Sequence, residues 1–367
     1  MLSYRFRVYP SKTAQQKLSE HLELCRWLYN RLLEELNRAK RENRKVTQKD
    51  TQAFIVKLKE ENPKLKQVYS KILEMVNYQL WSNIKALAQL KKDGKKVGKL
   101  RFKGKWFKTV NFNQSGFKLE GKKLTLSKIG SIPIRMHREI EGKTKGVVIK
   151  REGSGKWYAV FQVEDEPKPL PRTNKVVGID VGIKHFLTDS EGRQIENPKF
   201  YQKTLERIKV VQHWLSKKKK GSKNREKQRI KLAKVYEKLT NQRNDFLHKL
   251  SRFYINNYDF IAVENLNVRG MVRNHNFAQK ILDASWGKFL QMLSYKAENA
   301  GKMVMKVNPR GTSKEHMEIE DRDYRASLNI LKRGLSGLGQ PYAPAETEPL
   351  LVEIPASSII EAGSPFR

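Results

Sequence analysis

Cysteine is almost absent from this chain: Cys25 is the only one in 367 residues. An intramolecular disulfide is therefore excluded, and so is a zinc site built from several cysteines. Long apolar runs are missing as well, and none approaches the roughly 20 residues of a membrane-spanning helix. The first residues, Met-Leu-Ser-Tyr-Arg-Phe-Arg, contain no apolar signal region, so an intracellular protein is expected. Negative charge is scarce, with 38 Asp+Glu against 75 Lys+Arg and a formal charge of +37. That imbalance calls for a polyanionic partner, nucleic acid ahead of an anionic membrane surface.

What is present suggests two or three domains and a sizeable core. Tyr4, Phe6 and Val8 alternate with Arg5, Arg7 and Tyr9, which predicts a strand with one basic face. Pro10-Ser11 opens a helix with Ser11 as N-cap, and Leu18, Leu22, Cys25, Tyr29, Leu32 and Leu36 form its apolar stripe. Arg26, Arg31, Arg38, Lys40 and Arg41 lie off that stripe, either as a solvated back or facing nucleic acid. Helices are also predicted over 47–61 and 68–92. From 100 to 165 the texture changes to short strands, with a hairpin turning at Gly153-Ser154-Gly155. Within it, residues 101–108 alternate basic residues, Arg101 and Lys103 among them, with aromatics. Such a stretch suits phosphate contact plus base stacking, and equally an amphipathic edge strand.

Residues 166–171 (EPKPLP) read as a stiff linker and a domain boundary. Val176, Val177 and Ile179 then predict a buried strand ending in Asp180, with turn chemistry at residues 189–192 making a hairpin. Residues 201–252 read as two very basic helices broken near Lys217–Lys223, a solvated surface that would also hold a phosphate backbone. A second apolar strand, residues 258–266, carries Glu264 near its end. An amphipathic helix is predicted over 277–300, an apolar strand over 303–307, and a helix over about 322–333 that Asp323 opens. From 335 onward Gly, Pro and Glu dominate, and a loosely ordered tail is expected.

Asp180, Glu264 and Asp323 are far apart in sequence, so only the fold could unite them. A buried carboxylate at a strand end is costly unless paired or bound to metal. Three converging carboxylates in a basic protein suit two divalent cations, the arrangement for phosphodiester hydrolysis. An all-oxygen site open to phosphate favours Mg²⁺.

Residues 178–184 (GIDVGIK), 261–271 (IAVENLNVRGM) and 321–330 (DRDYRASLNI) resemble the three RuvC motifs of the TnpB family, transposon-encoded RNA-guided nucleases related to type V CRISPR effectors. Residues 4–10 and 25–30 resemble the family's amino terminus, and 114–119 and 156–158 its oligonucleotide-handling barrel. Residues 219–225, 243–251, 307–313 and 361–365 match family signatures too, so nearly the whole chain is covered.

The resemblance implies an α/β plus all-β protein. Its parts would be an RNase H-like (RuvC) nuclease core at 172–334 with a helical insert at 201–252, a wedge-type β-barrel at 1–10 and 96–171, and an inserted helical recognition lobe at 11–95. Residues 335–367 would be the tail. It implies a guide RNA transcribed from the transposon end, and double-stranded target DNA chosen by base pairing beside a short transposon-adjacent motif. Asp180, Glu264 and Asp323 would be the Mg²⁺ ligands and catalytic acids, with Asp321 the weaker candidate for the third. Readers of the adjacent motif would fall at Gln48, Gln52, Ser70, Lys71, Asn113 and Gln114. Lys219, Lys220, Lys223 and Arg225 join Arg101 and Lys103 as nucleic-acid contacts. The expected location is cytoplasmic, with the nucleoid, and a homodimer stays open.

Two departures from the family pattern stand out. Residues 314–320 alone bridge Ser313 and Asp321, where the family carries a four-cysteine zinc finger; His316 cannot replace it, and no zinc is expected. Arg325 stands where the family has Asn. An RNA-guided DNA-binding protein that cuts weakly or not at all is therefore the alternative to a nuclease. A DNA transposase and a general RNA-binding protein are further readings, weakened respectively by the guide-handling resemblance and by the three acids.

Overall fold

The computed structural model describes residues 1–105, 107–164, 166–312, 319–339 and 352–361. It separates into two compact units, residues 1–165 and 166–367, so the boundary falls where the proline-rich linker begins.

In the first unit, β1 (Leu2–Val8) leads into α1 (Lys12–Arg41), α2 (Gln48–Glu61), a short 3-10 turn (Pro63–Gln67) and α3 (Ser70–Lys92). Six strands follow: β2 (Thr109–Asn113), β3 (Phe117–Glu120), β4 (Lys123–Leu126), β5 (Gly130–Arg135), β6 (Lys143–Arg151) and β7 (Trp157–Glu164). Local chemistry sets the helix starts. Ser11 Oγ accepts from the Ala14 amide at 3.2 Å, and Thr47 with Asp50 forms a reciprocal capping box on α2. The strands join in the order β2-β6-β7-β1-β5-β4-β3, a nearly closed, barrel-like antiparallel sheet. On β1, Phe6 and Val8 are buried, while the Arg5 guanidinium lies 3.8 Å from the Tyr158 ring centre. Phe6, Phe112 and Phe161 of the sheet share one core with Leu18, Leu28, Leu32, Ile72 and Leu80 of the helices. The expected wedge (1–10, 96–171) and helical lobe (11–95) thus have a common interior up to residue 165.

In the second unit, β8 (Val176–Val181), β9 (His185–Asp189) and β10 (Arg193–Glu196) form an antiparallel run. Two turns serve it, one at Gly182–Lys184 and one at residues 190–192. Asp189 is fully buried and organises the second turn, accepting from the Glu191 and Arg193 amides at 3.0 Å each and from Tyr254 Oη at 2.9 Å. Helices α4 (Phe200–Ser216) and α5 (Lys223–Asn257) follow, then β11 (Phe260–Glu264), α6 (Val268–Met271), α7 (His275–Ala284), α8 (Trp286–Ala300), β12 (Met303–Val307) and α9 (Arg322–Ser336). Strand order is β12-β11-β8-β9-β10-β13, where β13 is Val352–Ile354 and precedes α10 (Ala356–Glu361). β11 pairs parallel with both β8 and β12. The core joins Phe186, Phe246, Tyr254 and Phe289 with Ile179 and Ile261.

Three expectations are corrected. Residues 277–300 are not one helix, because Ser285 adopts the left-handed conformation (φ 58°, ψ 39°) and separates α7 from α8. α9 runs on to Ser336. The expected loose tail contributes β13 and α10, with β13 held parallel to β10 by backbone pairing. Residues 340–351 and 362–367 of that tail lie outside the described residues, as do Trp106, the 313–318 part of the short bridge with His316, and most of the 361–365 signature. Among the described residues no helix is long and apolar enough to cross a membrane.

Candidate metal centre and nucleic-acid interface

Backbone pairing places the first two acids side by side. Ile179 of β8 is the register partner of Val263 of β11, so Asp180 and Glu264 follow on neighbouring parallel strands at the same sheet end. The third comes from α9, which crosses that sheet at very short range. A Cβ on Gly178 would lie 2.1 Å from the Ser327 carbonyl oxygen, and one on Gly334 would lie 2.7 Å from Ala262 Cβ. Glycine at both positions lets α9 approach closely enough to bring Asp323 toward Asp180.

The electrostatics record that approach. Burial pushes the Asp180 carboxyl up to about 8, and the nearby negative charges of Glu264 and Asp323 push the same way. Glu264 is also raised by burial, against the hydrogen bond that Thr312 Oγ1 donates to its Oε1 at 2.5 Å. Asp323 is held by Arg322, whose Nη2 and Nε donate to Oδ1 at 2.8 and 3.1 Å. Asp321, the weaker candidate, is committed elsewhere: Oδ1 caps α9 by accepting from the Tyr324 amide at 2.8 Å, and Oδ2 accepts from Gln194 at 3.0 Å. Arg325 turns its Nε to the Ile319 carbonyl at 2.9 Å. Among the described residues no three Asp, Glu, His or Cys side chains lie close enough together to hold a metal ion. The donor set nonetheless fits a hard cation: all oxygens, with a half-buried Asp180 carboxylate whose burial and acidic neighbours outweigh the help of Arg322 and the Val181 amide.

A cleft of about 960 Å³ opens beside Asp323, with Lys184, Lys199, His275, Phe277, Lys280 and Arg322 in its wall. Sequence reasoning missed these cleft residues and Thr312. The signal for Thr312 was the 307–313 signature; for α7 a continuous amphipathic pattern hid the break at Ser285.

In the first unit, Lys71, Asn113 and Gln114 come together around a cleft of about 310 Å³, with Glu74, Met75 and Tyr78. Ser70 begins α3 beside it and accepts from Lys59 Nζ at 3.4 Å. Gln48 and Gln52 are instead tied to Asn77, whose Nδ2 donates to the Gln48 carbonyl at 3.1 Å and to Gln52 Oε1 at 3.0 Å. Residues 101–105, 107 and 108 form no strand. Lys103 is pinned by Asn30, which accepts from its amide at 2.7 Å and donates to its carbonyl at 3.0 Å; Arg101 is exposed. Lys219, Lys220 and Lys223 are exposed at the α4–α5 turn. Arg225 closes that turn, its Nη1 donating to the Leu215 and Lys218 carbonyls at 2.8 and 2.9 Å.

The fold has a counterpart among solved structures. A solved complex described as "Cryo-EM structure of the Cas12f1-sgRNA-target DNA complex" contains a chain of the same fold, with TM-score 0.53, 15% identity, and coverage of 87% of this chain and 82% of that one. A "Probable transposase" family model (OrfB_IS605) matches residues 160–275, its companion "Helix-turn-helix domain" residues 1–45, and a "Cas12f1-like, TNB domain" residues 286–329. A Streptomyces pristinaespiralis protein named "Putative RNA-guided DNA endonuclease" is 30% identical over 91% of this chain and 89% of its own. InsQ of Escherichia coli K12, under the same description, is 26% identical over 85% and 81%. This chain belongs to the TnpB family.

Proposed function

We propose that the chain is an RNA-guided DNA endonuclease: it binds a transposon-derived guide RNA and hydrolyses phosphodiester bonds of double-stranded target DNA beside a short transposon-adjacent motif. One observation carries the nuclease half. Asp180 and Glu264 follow on neighbouring parallel strands at one sheet end, and the negative charges of Glu264 and of Asp323 on α9 both push the Asp180 carboxyl upward. The reading takes the second unit as an RNase H-like (RuvC) core, and the barrel-like sheet and α1–α3 of the first as wedge and recognition lobe. The names of the relatives and the guide and target in the Cas12f1 complex support the RNA-guided half.

Asp180, Glu264 and Asp323 would hold two Mg²⁺ ions. Bound there, the ions would supply Lewis-acid stabilisation to the attacking and leaving oxygens of an in-line displacement. The chain's own residues do the rest. Thr312 orients the Glu264 carboxylate, and Asp321 caps α9 so that Asp323 presents from its first turn. Lys184, Lys199 and Lys280 give the cleft wall the charge to attract a phosphate backbone. With a formal charge of +37, the protein grips backbone while base pairing reads sequence.

A second reading, guided binding without cutting, draws on the Arg322–Asp323 ion pair, which occupies one of the three acids. Wild type and Asp180→Ala, each co-expressed with the guide, are mixed with matched duplex DNA and Mg²⁺, with and without a chelator. Cutting that needs both Asp180 and the metal supports the nuclease. Tight binding without cutting in wild type supports the second reading, and absence of both sinks the two together.

A further inference from the structure

The tip of the α4–α5 hairpin carries an aromatic that neither core nor catalytic cleft uses. Trp214 is 50% exposed, and Val210, one helical turn before it, is 54% exposed. On the same face one turn later, the ammonium groups of Lys217 and Lys218 each lie 5.8 Å from the Trp214 ring centre. His213 meets the indole edge-on, with ring centres 6.1 Å apart. The backbone beneath is fixed: Arg225 bridges the Leu215 and Lys218 carbonyls, and Ser222 Oγ caps α5 by accepting from the Arg225 amide at 3.1 Å. The result is a half-exposed indole on a fixed backbone, with two lysine ammonium groups over its ring.

The geometry points to a stacking platform for an unpaired base of the guide RNA, with Trp214 under the base and Lys217 and Lys218 on the flanking phosphates. Resting on the RNA-guided reading above, this names a site and a contact chemistry that the reading leaves open. An exposed indole on a solvated surface is hard to account for by packing, whereas aromatic faces framed by cations are how single strands are held without sequence readout. RNA is favoured over DNA because a folded guide keeps unstacked loop bases permanently available. A scissile DNA strand would be held at the catalytic cleft, and α4 carries Trp214 away from it. Leu205 lines that cleft, and nine residues of helix separate it from Trp214, about 14 Å at 1.5 Å per residue.

The test measures binding by the full chain at several salt concentrations. The probes are a 15-nucleotide single-stranded oligouridylate, the same length of oligothymidylate, and an RNA duplex. Trp214→Ala should weaken oligouridylate binding by roughly 5- to 100-fold and leave the slope of log affinity against log salt unchanged. Trp214→Phe should retain most of the affinity, and duplex binding should not move. Ultraviolet crosslinking of 5-iodouridine RNA should label residue 214. Unchanged melting in Trp214→Ala keeps a folding defect from imitating the effect. Wild-type affinity in Trp214→Ala, an equal loss on the duplex, or a greater loss on oligothymidylate than on oligouridylate would overturn the assignment. Binding is read without cleavage, so a chain that binds guide RNA but never cuts fails the nuclease proposal and not this one.

Discussion

Thr312 Oγ1 donates a 2.5 Å hydrogen bond to Oε1 of Glu264, joining the loop after β12 to the acid that ends β11. Asn329 Nδ2 of α9 in turn holds the Thr312 carbonyl at 2.7 Å. Partners of this kind fix the rotamer of a ligating carboxylate, and losing one typically costs 10- to 100-fold in metal affinity or activity. Thr312→Val should therefore lower DNA cleavage by about tenfold or more, with a higher Mg²⁺ requirement. Thr312→Ser, which keeps the hydroxyl, should restore most of it. Mg²⁺ titrations of the three proteins decide the matter; an unaffected valine variant would remove Thr312 from the site.

Close approach of α9 to β8 should be intolerant of a single methyl. Gly178→Ala puts a Cβ against the Ser327 carbonyl and Leu331, an overpacking that costs about 1–3 kcal/mol and displaces the helix carrying Asp323. Gly287 makes the control, since a Cβ there meets nothing within 4 Å. Gly287→Ala in α8 should be neutral or stabilising, by up to about 1 kcal/mol. The urea unfolding midpoint should fall for Gly178→Ala and hold or rise for Gly287→Ala.

Stability should depend on pH through Lys296. Its Nζ donates to the His248 carbonyl and Ser251 Oγ, each at 2.7 Å. Burial, and then the Arg252 charge, bring its ammonium down to about 7 from an ordinary 10.5. Between those values the unfolded chain binds more protons than the folded one, so stability rises as pH climbs from about 7 toward 10.5 and is lost on the way down. Lys296→Met should flatten that part of the profile and raise the melting temperature at pH 7. A profile identical to wild type would show that other groups set the slope.

At the α4–α5 turn, charge and architecture separate. Replacing Lys219, Lys220 or Lys223 by Gln should weaken guide RNA binding and reduce the salt slope by about one for each phosphate contact removed. Arg225→Lys keeps the charge, but the shorter, non-planar side chain has to bring its ammonium to the point where Nη1 now meets both carbonyls. It should loosen the turn and weaken binding more than its unchanged charge implies. Salt titrations distinguish the cases.

Much of this architecture is written in local signals. The stripe on α1, the Thr47–Asp50 capping box and the alternation along β6 and β7 each state their own structure, and Asp180 and Glu264 stand out as acids closing apolar strands. Where the reading erred, the deciding physics was non-local or periodic in the wrong way. Apolar spacing continues through Ser285, so periodicity registers no break there. β13 forms because β10 offers a free edge, a fact absent from its own Gly-, Pro- and Glu-rich neighbourhood. The run at residues 101–108 alternates like a strand, but Asn30 on α1 takes the Lys103 backbone and no ladder forms. Thr312 lay inside a noted signature, yet its role depends on a partner in another element.

The last strand does more than extend the sheet. Val352 donates its amide to the Gly192 carbonyl at 2.9 Å, and residues 352–354 run alongside Arg193–Ile195. A shortened version stopping at Gly339 would strip that seam from β10 and bare its row of amides and carbonyls to neighbouring molecules. Anyone trimming the protein should expect the missing segment to be repaid in self-association, even though none of Asp180, Glu264 and Asp323 had been touched.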